Sequence, residues 1–387
     1  MTSRILVGDV LVMLGTLEDA SIDCVVTSPP YYGLRDYQVE GQIGLEPTLS
    51  EFVATMVKVF GEVARVLKPS GAVWLNLGDS YTSGGRKSYN PGASALHPAQ
   101  QKGMARPEVP NGLKPKDLCG APWRVAFGLQ DDGWYLRQEI IWHKPNPMPE
   151  SVRDRCTKAH ESIFLLAHPA SGGKYYYDAD AVRERHKEPW RGKGEHESLT
   201  PHSGRLDDVN KEQATFTVGV RQYNPLGRNK RSVWTITTKP YSQAHFATFP
   251  PELPRTCILA GTSEKGICPD CGLAWVRVVE KKRVNTRPGY TAKHGDDQWL
   301  GHETKAGLLF RPVTTTKTLG WQPQCDCDSE PVPATVLDPF AGAGTTLLVA
   351  NQLQRHAIGI ELNPEYAAMA EDRIYSEAPL LNQVALG

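Results

Sequence analysis

The segment Thr27-Ser28-Pro29-Pro30-Tyr31-Tyr32-Gly33 concentrates more reactive possibility than any other in the chain. Ser28 brings a hydroxyl acceptor, and the two prolines carry no amide hydrogen, so the local carbonyls stay open to an outside donor. Tyr31 adds a flat ring. An acceptor pair beside a stacking face suits a planar substrate with an exocyclic amino group, such as a base swung out of its duplex. A proline-rich turn with a surface tyrosine has the same local pattern, so the surroundings must decide.

Near the other end, Ala334 to Leu337 reads as a strand leading into Asp338-Pro339-Phe340-Ala341-Gly342-Ala343-Gly344-Thr345. Small residues let the backbone approach a ligand, and the helix start offers unpaired N–H groups. His356 to Ile360 gives a second strand, closed by Glu361. That acid lies 23 positions after Asp338, close to the interval at which a Rossmann-like unit presents a carboxylate to ribose hydroxyls. A ribose-containing cofactor is expected. NAD fits poorly, because Leu347 stands where the dinucleotide fingerprint has its third glycine.

A third set is sulfur. Cys268-Pro269-Asp270-Cys271-Gly272 has the spacing of a metal-binding knuckle, and Cys325-Asp326-Cys327 supplies a second pair. Four thiolates would close a structural zinc site. The second spacing departs from the usual two-residue gap, so Cys257, His294 and His302 are alternative ligands, and two unrelated pairs of reduced thiols are the plain alternative.

These residues need strands to carry them. Ile22 to Val26 is an apolar, β-branched run that stops at the prolines, which places Ser28 at a strand's carboxyl end, the edge where open α/β sheets bind ligands. Arg4 to Val7 reads as a strand ending at Gly8-Asp9, with a helix beginning at Val10. Thr48 to Glu51 is a capping-box pattern, followed by Phe52, Met56, Val59, Phe60, Val63 and Leu67 at helical spacing up to Pro69-Ser70-Gly71. Ala72 to Leu77 is expected as a strand bringing Asp79 to the same edge as Ser28. Residues 82–116 read as a mobile loop, Pro122 to Phe127 as a helix, and Tyr135 to Trp142 and Ser162 to Ala167 as strands.

The chain has 387 residues with 43 Lys or Arg and 43 Asp or Glu, so nucleic-acid contact requires a local basic surface. Residues 183–231 offer one, with eleven Lys or Arg against seven Asp or Glu, interleaved with Trp190, Phe216 and Tyr223. No run reaches membrane-spanning length and the first residues lack the apolar core of a secretory signal. A cytoplasmic chain is expected, with its eight cysteines reduced or metal-bound.

Together, Ser28-Pro29-Pro30-Tyr31 and Asp338 to Gly344 resemble the catalytic and cofactor motifs of the β-type amino DNA methyltransferases. The order, catalytic before cofactor, is similar to that of the circularly permuted β-type. The resemblance implies an α/β Rossmann-like methyltransferase fold using S-adenosylmethionine, with catalytic Ser28, Pro29, Pro30 and Tyr31. It implies a cofactor pocket from Asp9, Phe246, Pro250, Asp338, Phe340, Ala341, Gly342, Gly344, Thr345 and Glu361. Double-stranded DNA is the implied partner, alongside a separate cognate restriction endonuclease. A first-position serine implies N4 of cytosine, with N6 of adenine the alternative and a non-catalytic DNA-binding protein the rival of another class. The absence of any Pro-Cys dipeptide argues against the covalent carbon-5 route. The expected division is a catalytic half at 1–177, a target-recognition region at 178–231, a return segment at 232–260, a zinc-ribbon-like insertion at 261–333 and a cofactor half at 334–387.

Overall fold

The computed structural model describes residues 2–34, 36–82, 112–184, 227–238, 249–284, 313–377 and 383–386. The elements run β1 (Thr2–Val7), α1 (Val10–Leu14), β2 (Ile22–Thr27), α2 (Leu49–Val66), β3 (Leu67–Leu77), α3 (Ala121–Asp131), β4 (Tyr135–His143), β5 (His160–Ala167) and β6 (Val233–Thr235). They continue with α4 (Glu252–Gly261), β7 (Val276–Val284), β8 (Val313–Gln322), β9 (Thr335–Asp338), α5 (Thr345–Gln352), β10 (His356–Glu361), α6 (Pro364–Glu377) and β11 (Gln383–Leu386).

The first of two compact units, residues 1–181, 231–276 and 323–387, holds the main sheet. Its strands lie in the order β11-β1-β10-β9-β2-β3-β5-β4-β6. From β11 to β3 all neighbours are parallel, whereas β5 runs against both β3 and β4. The chain winds outward from β2 to β3 in one direction and from β9 to β10 in the other. β2 and β9 therefore flank a topological switch point, where a crevice opens beyond the strands' carboxyl ends.

Local chemistry accounts for the elements that flank this point. Every residue of β2 is buried, as a strand covered on both faces requires. The Thr48 hydroxyl accepts from the Glu51 amide while the Glu51 carboxylate accepts from the Thr48 amide, which starts α2 as the capping box predicts. Phe52, Met56, Val59, Phe60 and Val63 then form its fully buried stripe. The helix stops at Val66, and β3 begins at Leu67, earlier than the sequence reading placed it. Pro69 cannot continue a helix, and Lys68 reaches Asp23 of β2 at 2.7 Å, which draws this segment alongside the sheet.

Two buried carboxylates hold β2 against β9. At one end Asp23 accepts from Lys68 Nζ and, through its other oxygen, from the Thr335 amide at 2.7 Å. At the other, Asp338 Oδ1 accepts from the Thr27 hydroxyl at 2.7 Å and the Phe340 amide at 3.1 Å, and Oδ2 from the Thr346 hydroxyl at 2.7 Å.

The second unit comprises residues 182–230 and 277–322, and in it β7 pairs with β8. Arg228 and Glu184 pair through both backbone and side chain, with Arg228 Nε 2.9 Å from Glu184 Oε2. This division differs from the expected one. The middle of the cysteine-bearing insertion groups with the expected recognition region, while the four cysteines stay in the first unit. The expected loop at 82–116 and the recognition region fall largely outside the described residues. Among those described, no helix is long and apolar enough to cross a membrane.

Burial raises the Asp338 pKa to about 6, against its three hydrogen bonds. Its ordinary value is near 3.8, so between the two the folded chain binds the extra proton and this group's contribution to stability falls as pH rises. Asp338→Asn should remove that dependence. The wild-type stability relative to the variant should be about 1 kcal/mol greater at pH ~5 than at pH ~7, read by urea denaturation at both.

Candidate active site

One cavity collects the carboxyl ends of the central strands. Its wall includes Gly8 and Asp9 after β1, Ser28 and Pro30 after β2, Phe340 to Ala343 after β9, and Glu361 to Asn363 after β10. Residues from both predicted motifs thus face one space, although they lie over 300 positions apart in sequence.

On the cofactor side, Glu361 Oε2 accepts from the Gly342 amide at 2.8 Å and Oε1 from the Asn363 amide at 2.9 Å. These bonds fix the carboxylate at the wall, and burial raises its pKa against them. Gly342 sits at φ +51° with nothing within 4 Å of where a Cβ would be, so the turn leaves a cradle that a side chain would fill. Asp9 caps α1, its Oδ1 accepting from the amides of Leu11 and Val12 at 3.0 and 3.1 Å. Ala341 and Thr345 also line the cavity, and Phe249, Ile360, Leu362 and Tyr366 add apolar walls.

Three cofactor expectations come out differently. Asp338 is 1% exposed and does not reach the cavity, because its carboxylate is committed to Thr27, Thr346 and the Phe340 amide. Gly344 starts α5 and faces Ala370, whose Cβ lies 2.8 Å from where its own Cβ would be. Pro250 is buried beside the lining residue Phe249, and Phe246 lies outside the described residues. The loop after the tetrapeptide contributes Tyr37, Val39, Gln42 and Ile43, and α6 contributes Tyr366 and Met369. None of these was among the expected cofactor residues.

On the substrate side, Tyr31 points its hydroxyl inward. It donates to Glu161 Oε2 at 2.8 Å, and lies 3.3 Å from Ser28 Oγ. Asn76 of β3 directs Nδ2 at Ser28 Oγ, Tyr31 Oη and Glu161 Oε2, at 3.2, 3.0 and 3.0 Å. Burial and the Glu161 charge push the Tyr31 pKa well above its ordinary value, so the phenol keeps its proton. Asp79, expected at the same edge as Ser28, holds the start of α3, accepting from the Gly120 and Ala121 amides, each at 3.1 Å.

In the same unit, the ligand atoms of Cys268, Cys271, Cys325 and Cys327 all lie within 4.8 Å of one another. Paired backbone hydrogen bonds between Ile267 and Val332, at 2.8 and 2.9 Å, bring the two pairs together. Hydrogen bonds from the Cys271 and Asp270 amides lower the Cys268 thiol.

The family model described as DNA methylase matches residues 22–271 and 328–372. This chain belongs to that family of N6/N4 amino DNA methylases. It is 39% identical over 370 residues to the Type II methyltransferase M.Cfr9I of Citrobacter freundii, covering 96% of this chain and 87% of that one. To the Type II methyltransferase M.SmaI of Serratia marcescens it is 38% identical over 374 residues, covering 96% and 90%. The fold is that of PvuII DNA methyltransferase (cytosine-N4-specific), with a TM-score of 0.52 at 16% identity, covering 99% of this chain and 95% of that one. The methylase is an S-adenosylmethionine-dependent enzyme, and the cavity fits that cofactor: a fixed carboxylate for a ribose diol, apolar walls for an adenine and an open glycine cradle. Residues 272–327, between the matched segments, hold most of the insertion.

A test of the substrate wall lies at Gly78. A Cβ there would sit 2.4 Å from Cε2 of Tyr31, whose hydroxyl is already tied to Glu161. Gly78→Ala should displace the ring, cost about 1–3 kcal/mol in chemical denaturation and depress methyl transfer. Unchanged stability and transfer would show that Tyr31 moves freely.

Proposed function

We propose that this protein is a Type II modification enzyme that methylates N4 of cytosine in a base flipped out of duplex DNA. The observation that carries the reading is Ser28, a neutral hydroxyl acceptor at the cavity edge where the two motifs meet. Bound S-adenosylmethionine supplies an electrophilic methyl group. The protein's own part is to present the amino nitrogen to it.

The lone pair of an exocyclic amine is delocalised into the ring. Hydrogen bonds from its two N–H groups to Ser28 Oγ and the Pro29 carbonyl localise that pair on nitrogen and aim it for in-line attack. The prolines suit this role because they put no competing amide donor at the site. Tyr31 offers a ring face for the flipped base, with Gly78 behind it. Glu361, Asp9 and the turn from Phe340 to Gly342 hold the cofactor. The sulfur cluster holds a structural zinc ion, since four thiolates this close are a tetrahedral donor set.

Nucleosides from mixed-sequence DNA incubated with the protein and isotopically labelled S-adenosylmethionine should carry label in N4-methylcytosine. Label in N6-methyladenine instead would overturn the base assignment, and no label with cofactor bound would overturn the enzymatic reading. Ser28→Ala should slow transfer about 100-fold or more with DNA binding retained. Elemental analysis of protein purified without chelator should find one zinc per chain, lost in Cys271→Ser and in Cys325→Ser.

A further inference from the structure

Methylation leaves the amino nitrogen with one proton too many. Ser28 cannot be its final resting place, because an alcohol near neutral pH takes a proton only by passing on its own. Behind Ser28 the side chains supply a continuation. The one proton of Tyr31 is given to Glu161 Oε2 at 2.8 Å, so in the 3.3 Å contact between Ser28 and Tyr31 the phenolic oxygen accepts and Ser28 donates. With Asn76 Nδ2 donating to one lone pair of Ser28 at 3.2 Å, that polarity leaves the other lone pair for the substrate. The length of the contact between Ser28 and Tyr31 is ordinary for a catalytic contact before substrate tightens it. Asn76 Nδ2 can only donate, and by bridging Ser28, Tyr31 and Glu161 it reinforces the same direction.

Glu161 is built to end such a chain. Its side chain is 14% exposed, and its other oxygen is paired with Lys144 Nζ. It lies in β5, with Trp142 of β4 as its cross-strand partner. The charged and titratable groups that face it are Lys144 and Lys158 from the segment joining β4 to β5 and Tyr31 after β2, and Lys158 in turn lies near Asp79 after β3 and Glu150. Lys158 donates to the Asp79 carbonyl at 3.1 Å, and the Asp79 carboxylate is occupied by the start of α3.

We propose that Glu161 is the terminal acceptor of the reaction's proton, reached through Ser28 and Tyr31; this rests on the methyl-transfer reading but not on which base is methylated. Once the nitrogen has gained its methyl group, its N–H bond breaks and the electron pair returns to nitrogen. The proton goes to Ser28 Oγ, the original Ser28 proton goes to Tyr31 Oη, and the original Tyr31 proton goes to Glu161 Oε2. Both hydroxyls are restored and the carboxylate ends as a neutral acid. Glu161 touches neither base nor cofactor, so it is a positioning residue and proton sink acting through Tyr31.

The test is single-turnover transfer of labelled methyl to amplified, unmethylated mixed-sequence duplex DNA, with rate followed against pH and both methylated bases counted. Glu161→Gln keeps an acceptor for Tyr31 but takes no proton. Its rate should fall about 100-fold and lose the acidic limb of the wild-type profile, with DNA and cofactor affinities unchanged and the protein still folded at the assay temperature, its unfolding temperature lowered only by the loss of the Lys144 ion pair. Glu161→Asp should restore part of the rate and the limb, and Tyr31→Phe should behave like Glu161→Gln. A Glu161→Gln enzyme with the wild-type rate and profile would overturn the relay. So would a loss of rate explained by lost binding or folding, which is what a purely structural residue gives. A wild-type protein that transfers no methyl to either base would sink the enzymatic reading itself, a result distinct from both.

Discussion

The site depends on one contact, the hydrogen bond from the Thr27 hydroxyl to the buried carboxylate of Asp338. Thr27 is the last residue of β2 and Asp338 the last of β9, so this contact joins the ends of two strands separated by most of the chain. Parallel neighbours of such separation have no turn to set their register, and side chains must do it. Asp338 does so at the ligand end and Asp23 at the other. Removing a carboxylate from water is costly unless its lone pairs are satisfied. Two hydroxyls and an amide satisfy Asp338, and they come from β2, from the turn and from α5. Any slip of one against the others would strand a buried charge.

With that register fixed, the sheet can separate two chemistries on either side of the switch point. Toward β1 and β10 the strand ends carry acids held by backbone amides, suited to a polar cofactor. Toward β3 and β5 they carry Asn76 and Glu161, which form a buried polar cluster with Tyr31 and Lys144. A cluster in low dielectric holds its partners firmly only if each donor finds an acceptor. The inward turn of the Tyr31 hydroxyl follows from this. Gly78 lets the ring lie close to β3, and the hydroxyl completes the coordination of Glu161.

Much of this was legible in the sequence because it is local. The apolar run before Ser28, the capping box at Thr48 and the small-residue turn at Ala341 to Gly344 each announce their element within a few residues. The pairing of Ser28 with the glycine turn was legible through motif order rather than geometry. What escaped notice lies across strands. Glu161 opens an apolar strand and carries no local sign that it faces Tyr31, 130 positions earlier in the chain. Asp338 stood within the cofactor motif and so resembled a ligand, yet a carboxylate's task is set by which hydroxyls surround it. Tyr366 and Met369 line the cavity from α6, where helical spacing alone does not separate a cavity face from a core face.

The cysteines raise the same problem of distant chain segments, with a different solution. Chain leaves the first unit after residue 276 and returns at 323, and the two pairs lie just outside these points. Cys271 and Cys325 enclose 53 residues. Closing a loop of that length costs conformational entropy, which the paired backbone at Ile267 and Val332 and the pairing of β7 with β8 help to offset. A fixed cross-link there removes about 4 kcal/mol of that entropy from the unfolded chain in the loop-closure treatment used for disulfides. A zinc ion held by the four cysteines, as proposed above, would be such a cross-link. It would let a large excursion be inserted between α4 and β9 without loosening the start of β9, and with it the register that places Ser28 beside the cofactor turn.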